Sequence, residues 1–273
     1  MSTVVAAGFF DGVHLGHRRI LHGADVALTF KNHPLSVLKP GSEPSLIMSY
    51  GAKESAIKGC GVGKVIAIEF TKELSQVSAE DILVFFEGCS KIRCGADWRF
   101  GKEAKGDADF LRAHGFDVEV VSYVEVDGER VSSSCIRSAL DSGDIIRANR
   151  MLGRAWSVEG LVVSGKGVGT KIGFPTVNMQ LASEIQQIPS GVYEVSACGC
   201  RAIANFGYAP TMGLDAWRSK VLELHFKDLP DDLPKSGYCK VEFIDFIRPE
   251  RKFNSIDELK RAIADDCKKV FGV

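Results

Sequence analysis

No CxxC pair occurs among the eight cysteines, at positions 60, 89, 94, 135, 198, 200, 239 and 267, and no Cys/His cluster has zinc spacing. A metal finger and a thioredoxin-like dithiol are therefore not indicated. Cys198 and Cys200 form a CxC in a predicted strand, which reads as two reduced thiols on one face. Net charge is also scarce: 34 Lys and Arg against 35 Asp and Glu leave a formal charge of -1. That gives no field suited to long-range capture of nucleic acid or of an anionic membrane, so any polyanionic ligand must be bound locally. No segment approaches the roughly 18 apolar residues of a membrane span, and no basic region precedes the apolar stretch in MSTVVAAGFFDGV. These absences predict a soluble, cytoplasmic protein with free thiols and no nucleic-acid or membrane partner, and leave weak self-association open.

What is present is ample core material, with 45% hydrophobic and 25% charged residues in a chain of 273. That length favours two domains over one. Up to about residue 150, short apolar runs (TVVAAG, DVALTF, KVIAIEF, KIRCG, VEVVSYV) alternate with helical stretches (HRRILHG, SYGAKESAIKG, SAEDILVFFEG). Such alternation predicts βαβ units and a parallel sheet covered by helices. SALDSGDIIRANRMLGR reads as two short helices interrupted by Ser-Gly, and the boundary is expected near Gly153, giving domains 1–153 and 154–273. Beyond it, WSVEGLVVSG, GVYEVSACGCRAIANFG, KVLELHFKD and YCKVEFIDFI read as strands joined by turns, which fits a small antiparallel β-barrel. One helix closes the chain, with Ser255 and Glu258 as a capping box and Ile256, Leu259, Ile263 and Val270 as its apolar stripe.

Two of only six histidines, His14 and His17, lie three apart in GFFDGVHLGHRRIL, residues 8 to 21. If TVVAAG is a strand, FFDG turns at its carboxyl end and a helix begins at the histidines, where unpaired N–H groups form an anion site. Gly16 is expected to let a ligand approach the backbone. In VSSSCIR, the hydroxyls of Ser132, Ser133 and Ser134 precede a helix that carries Arg137 one turn on, a second anion-binding group. Both groups would meet over the carboxyl edge of one parallel sheet.

The strand, Asp-Gly turn and HxGH string resembles the signature of the nucleotidyltransferase superfamily, whose histidines bind the ATP triphosphate. More narrowly, GFFDGVHLGH is similar to the start of the bacterial bifunctional riboflavin kinase/FAD synthetase family, with Phe9 where Asn is frequent. TFKNHP (29 to 34) resembles TFxPHP with Asn32 in place of proline, GADWRFG (95 to 101) resembles GxDFRFG, and VSSSCIR resembles ISSTxIR. The resemblance implies an α/β nucleotidyltransferase domain with a Rossmann-like sheet, binding ATP through Gly8, Phe10, Asp11, His14, Gly16, His17, Ser132, Ser133, Ser134 and Arg137. It further implies that His33, Asp97, Arg99 and Phe100 bind flavin or nucleotide, and that His14, His17 and Arg137 are catalytic.

In the second half, GKGVGTKIGFPTVN (165 to 178) is a glycine loop leading into an extended segment, on which Thr176 and Asn178 point to one face. Their oxygens suit Mg²⁺. In VLELHF, Glu223 and His225 share the face opposite Leu222, Leu224 and Phe226, and a carboxylate aimed into a polar cavity can accept a hydroxyl proton. These stretches resemble the PTAN and ExH motifs of riboflavin kinases, with Val177 in the third place of the first and Thr170 where Arg is frequent. The resemblance implies a β-barrel kinase domain closed by a C-terminal helix, binding ATP at Gly165, Gly167, Gly169, Lys171, Gly173, Pro175, Thr176 and Asn178, with Thr176 and Asn178 as metal ligands. It assigns flavin binding to Asn205, Gly207, Pro210, Thr211 and Arg248, and makes Glu223 the catalytic base.

The implied function is phosphorylation of riboflavin to FMN by Mg-ATP, then adenylylation of FMN by a second ATP to FAD and pyrophosphate. Alternatives are a riboflavin kinase with a weak or altered adenylyltransferase domain, a nucleotidyltransferase with another acceptor, and a non-catalytic flavin-binding regulatory protein. Segments between HRRIL and ALTF, and at VFFEGCSKIRCG, are short for the family and predict a thinner helical cover on one side of the sheet.

Overall fold

The computed structural model describes residues 3–164, 174–208, 220–234 and 236–272. They form two compact units, Met1–Cys135 and Ile136–Val273. The first is built on a parallel sheet of β1 (Val4–Ala7), β2 (Val26–Phe30), β3 (Lys64–Ile68), β4 (Lys91–Gly95) and β5 (Val118–Val121), in the order β3-β2-β1-β4-β5. The central strand β1 pairs with β2 (Val5↔Val26) and with β4 (Val5↔Ile92), so strand order reverses at β1. A crevice opens beyond the strand ends at such a reversal.

Alternate residues feed the two faces, as the strand period requires. Ala6 and Ala27 pack with Leu21 of α1 (Leu15–Leu21) and Ile57 of α3 (Tyr50–Lys58), while the four-residue α2 (Leu35–Leu38) lies between these helices in sequence. On the other face Val5, Ala7, Ile92 and Cys94 pack with Phe86 and with Leu111 of α5 (Ala108–Ala113). This second cover is the thinner one. The helix expected over SAEDILVFFEG is only α4 (Ala79–Ile82) followed by a 3₁₀ turn, Leu83–Phe86, which buries Phe86 and leaves Val84 and Phe85 exposed. A two-stranded hairpin, β6 (Glu125–Val126) and β7 (Glu129–Arg130), turns through Asp127 and Gly128.

In the second unit α6 (Ser133–Asp141) leads to α7 (Ile145–Leu152) and a closed six-stranded antiparallel barrel. Its strands are β8 (Trp156–Val163), β9 (Thr176–Leu181), β10 (Gly191–Ala197), β11 (Cys200–Tyr208), β12 (Lys220–Phe226) and β13 (Gly237–Pro249), in the order β10-β11-β12-β9-β8-β13. Trp156, Tyr193, Leu222, Leu224 and Phe243 fill its interior. The two short helices pack with the barrel: Asn149 donates to the Phe243 carbonyl (2.8 Å) and accepts from the Trp156 N–H (2.6 Å), and Gln186 donates to Asp141 (2.6 Å). By packing, then, the chain divides between Cys135 and Ile136, ahead of Gly153.

The closing helix α8 (Ile256–Phe271) begins at Ser255, whose hydroxyl accepts from the Glu258 N–H (3.1 Å). The return bond of this capping box goes from the Asn254 N–H to the Glu258 carboxylate (3.0 Å), one residue before Ser255. Of the apolar stripe, Val270 is buried, where with Cys267 and Phe271 it meets Val192 and Ile203, Leu259 and Ile263 are half-buried, and Ile256 is 63% exposed. The CxC reading needs correction. β10 ends at Ala197 and β11 starts at Cys200, so Cys198 stands in the turn and not on a strand face.

Candidate active sites

The first site begins with backbone that ordinary residues avoid. Between β1 and α1, Phe10 (φ 57°), Gly12 (φ 82°) and Val13 (φ 40°) all take positive φ, and for a β-branched valine this is an outlier. Burial holds the turn: Phe10 and Val13 are 1% exposed, and a Cβ on Gly8 would stand 2.8 Å from the Phe10 ring. The Asp11 carboxylate accepts from the Ile47 N–H (3.0 and 3.2 Å), and the Asp11 carbonyl accepts from the Ser133 hydroxyl (3.0 Å). Asp11 thus fastens the turn to two other segments and does not present its carboxylate to a ligand.

The turn delivers two stacked imidazoles. His14 is the N-cap of α1, its Nδ1 accepting from the His17 N–H (3.2 Å), and the two rings stack at 3.6 Å between centroids. Gly16 makes room for this stack, since a Cβ there would lie 3.2 Å from the His14 ring, so its role is toward His14 first. His17 also meets the Phe10 edge at 5.4 Å, and its Nδ1 is buried with no hydrogen-bond partner among the described residues. Burial above all, then the neighbouring His14 and Lys53, holds its imidazole well below the ordinary 6.5, so His17 is neutral at pH 7.

Two cavities open beside this turn. The smaller, about 290 Å³, is lined by His14, Gly16, His17, Asp97 and the three serines 132 to 134. Ser132 caps α6 by accepting from the Cys135 N–H (3.2 Å), and Ser133 holds Asp11, which leaves Ser134 as the hydroxyl with no such tie in that row. The larger, about 580 Å³, is walled by aromatic and aliphatic side chains including Phe30, Phe70, Phe86 and Phe100, and also by Arg99. Ala7, Gly8, Phe9 and Trp98 line both cavities. Trp98 stacks on Phe100 at 4.8 Å, fixing the aromatic wall.

Other expected residues divide between these spaces. Asp97 pairs with Arg130 (2.8 Å), whose guanidinium lies 3.4 Å over the Tyr123 ring. Arg99 donates to the carbonyls of Ala96 (3.2 Å) and Trp98 (2.8 Å). His33 lines neither cavity; its Nδ1 accepts from the Leu35 N–H (3.1 Å) and its ring meets Phe9 at 4.8 Å, so it supports Phe9 from behind. Asn32, where the family has proline, donates to the Phe70 carbonyl (3.0 Å) and accepts from the Phe70 N–H (2.8 Å). Its amide prolongs the β2–β3 pairing and keeps the path of the segment. Arg137 is half-buried on α6, beyond the division at Cys135, and its role rests on the sequence resemblance alone.

Sequence reasoning missed Lys53. It is 2% exposed on α3, and its ammonium donates to the carbonyls of Phe30 (2.7 Å) and Phe9 (3.2 Å) while lying 4.1 Å over the Phe9 ring. Burial pushes its pKa from 10.5 down to about 8, against the opposing pull of Asp11. The available signal was position: Lys53 is four residues before the buried Ile57, on the apolar stripe of its helix.

In the barrel, register builds the second site. Glu223 on β12 faces Asn205 of β11 on one side and Asn178 of β9 on the other, and His225 faces Thr176. Leu222 and Leu224 point inward, so Thr176, Asn178, Asn205, Glu223 and His225 share the outer face of three adjacent strands. The His225 ring is set by its Nδ1 contact with the Pro175 carbonyl (3.0 Å), in which Nδ1 is the donor, and by Phe174 at 5.4 Å. Burial, and then the charge of Glu250, raises the Glu223 pKa above the carboxylate norm. Glu250 lies over Gly207, where a Cβ would come within 2.9 Å of its carboxylate. Neutral oxygen donors at Thr176 and Asn178, side by side on one strand face, fit Mg²⁺, which takes few protein ligands.

Arg248 sits differently from its expected flavin role. Its guanidinium is clamped onto Asp266 of α8 through Nε (3.0 and 3.1 Å) and Nη2 (2.7 Å), with Asp266 3% exposed. It ties β13 to the closing helix. Gly165, Gly167, Gly169, Lys171, Gly173, Pro210 and Thr211 lie outside the described residues.

Comparisons with known proteins match two families in chain order. The FAD synthetase family model matches residues 1–135, and the riboflavin kinase model matches 152–271. A bifunctional riboflavin kinase/FMN adenylyltransferase of Escherichia coli K12 is 31% identical, over 99% of this chain and 93% of that protein. Its namesake in Pseudomonas fluorescens is 33% identical, over 96% and 90%. A crystal structure described as a macrolide-efflux protein from Streptococcus pneumoniae superposes with a TM-score of 0.88 at 27% identity, covering 100% of this chain and 94% of that one. No helix among the described residues is long and apolar enough to cross a membrane. With both domain models matched in order and relatives above 30% identity along nearly the whole length, the chain belongs to the bifunctional riboflavin kinase/FMN adenylyltransferase family.

Proposed function

We propose that this cytoplasmic protein makes FAD in two ATP-dependent steps, each carried by the residues of its own domain. In the barrel, riboflavin is phosphorylated to FMN. The face carrying Glu223 between Asn205 and Asn178 supports this reading: Glu223, with a raised proton affinity, takes the proton of the flavin hydroxyl as its oxygen attacks the γ-phosphorus. Thr176 and Asn178 hold Mg²⁺, which when bound offsets charge on the ATP phosphates. His225, fixed by the Pro175 carbonyl, keeps β12 and β9 in register beside them.

In the sheet domain, FMN attacks the α-phosphorus of ATP, giving FAD and pyrophosphate. The observation that carries this half is the pair of adjoining cavities with a common wall at Gly8, Phe9 and Trp98. The aromatic one fits the flavin ring and the polar one the nucleotide, which brings the FMN phosphate to the wall between them. Neutral His17 gains proton affinity once phosphates arrive, because their negative charge opposes the burial and the neighbouring His14 and Lys53 that hold its pKa down. It then stabilises the charge of the transition state together with His14.

Incubating the protein with riboflavin and Mg-ATP and separating the flavins by chromatography tests both halves. FMN is expected first and FAD after it. Flavin binding without ATP consumption would favour a regulatory role, and FMN accumulating without FAD would leave only the kinase.

A further inference from the structure

We propose that Cys198 and Cys239 form an oxidation-sensitive dithiol, in which hydrogen peroxide oxidises Cys198 and Cys239 closes the pair to a disulfide. The first observation is a broken local rule. Cys198 and Gly199 are the two central residues of the β10–β11 hairpin, with φ of 50° and 70°, and Ala197 pairs with Cys200 on either side. Such a turn strongly favours Asn-Gly or Asp-Gly, and cysteine in its first place is strained. Conflicts of this kind mark positions retained for something other than folding.

The second observation is what the strained residue meets. Cys239 follows the inward alternation of Val241 and Phe243 on β13 and is 4% exposed, and Val241 pairs with Ala197, the residue before the turn. The hairpin therefore carries Cys198 toward Cys239, whose thiol feels its neighbour's charge. Both line one concavity of about 480 Å³, together with Asp232 and Tyr238. Cys198 is half-exposed, and its thiol contacts the Asp232 carbonyl at 4.0 Å. Cys239, buried and beside Cys198, has its pKa pushed up to about 11. Access makes Cys198 the first to react, and the burial and raised pKa of Cys239 make it the resolving partner.

The chemistry balances with peroxide as the two-electron oxidant. Cys198 sulfur attacks one peroxide oxygen, the O–O bond breaks, and the product is a sulfenic acid plus one water that carries the thiol proton. Cys239 sulfur then attacks Cys198 sulfur, the S–O bond breaks, and a second water leaves with the Cys239 proton. The resulting link joins the ends of the segment bearing β11 and β12, and with them Asn205 and Glu223.

The test uses the full chain. Treatment with hydrogen peroxide, alkylation, and non-reducing peptide mapping should show Cys198 linked to Cys239, a fall in titratable thiols from eight to six, and reversal by dithiothreitol. Closing a loop of about 40 residues should raise the barrel melting temperature by about 5 °C or more. Cys198→Asn, which suits the turn better, should melt no lower than the reduced parent and form no link. In Cys239→Ala, a sulfenic acid should be trapped by dimedone at Cys198. Retention of all eight thiols, linkage of Cys198 to exposed Cys200, or over-oxidation of Cys198 with Cys239 still reduced would each overturn the proposal.

Discussion

Replacing Lys53 with methionine should separate stability from function in the sheet domain. Holding this ammonium buried, with its pKa moved from 10.5 to about 8, costs about 3 kcal/mol at 1.36 kcal/mol per tenfold change in affinity. Methionine removes that cost and leaves the Phe30 carbonyl without its lysine donor, a loss of about 1–3 kcal/mol, while the Phe9 carbonyl keeps the Thr29 hydroxyl at 3.0 Å. At pH 7 the variant should therefore match the parent or exceed it by up to about 2 kcal/mol, and should fold. Phe9 belongs to the wall between the two cavities, so removing one of the two donors to its carbonyl and the cation over its ring should lower FAD formation roughly 10-fold or more while FMN formation stays normal. Between about pH 8 and 10.5 the unfolded chain holds the Lys53 proton and the folded chain releases it. The parent's unfolding free energy must then rise with pH across that window relative to the variant's, and run parallel to it below. Urea denaturation of both proteins at pH 7.5 and pH 10 measures the difference. Parallel stability at both pH values, or undiminished FAD synthesis by Lys53→Met, would refute the reasoning.

His17→Ala should reduce FAD formation by roughly 10² or more with FMN formation unchanged, because the lost contact is strongest in the transition state; equal loss of both activities in the coupled assay would make His17 structural. Glu223→Gln should lower FMN formation by roughly 10² to 10⁴ with little change in melting temperature, and FAD synthesis from supplied FMN should be untouched. A merely paired surface carboxylate would instead leave turnover near normal and shift stability by at most about 1 kcal/mol. A truncated chain of residues 136–273, which retains Ile136–Asp141 of α6 and all of α7 on the barrel, should fold and phosphorylate riboflavin, whereas one starting at residue 154 should melt lower because it loses Asn149 and the buried Ile145, Ala148, Met151 and Leu152.

Much of this was legible because the motifs are local. The HxGH turn, the serine row and the ExH strand each place their side chains by a short-range rule, helix capping or strand alternation, which does not wait on tertiary structure. What sequence could not supply was the competing partner. Asp11 and Arg248 look like ligand groups until Ile47 and Asp266 are found opposite them, 36 and 18 residues away. The side on which the linker helices pack was unreadable for the same reason, since nothing in SALDSGDIIRANRMLGR says which core its stripe will join until Phe243 accepts from Asn149, 94 residues earlier. Lys53 carried a readable signal, a lysine on an apolar stripe, which ordinarily reads as a snorkelling surface residue.

Backbone strain sorts these findings. Six non-glycine residues among those described take positive φ: Phe10, Val13, Glu103, Ala104, Asp127 and Cys198. Asp127 precedes glycine in a two-residue hairpin, where aspartate is favoured, and needs no further reason. Phe10 and Val13 shape the turn that presents the histidines, and Glu103 and Ala104 line the aromatic cavity. Each such position costs of order 1–3 kcal/mol and persists only where the surroundings over-determine it. Around Phe10 and Val13 the surroundings are Ile47, Ser133 and Lys53, which grip the turn from three separate segments. Cys198 has no comparable grip in its exposed hairpin; its neighbour of consequence is a thiol. Strain held by packing is found at the nucleotide and flavin cavities, and strain facing a second sulfur is found where oxidation can fix the turn covalently.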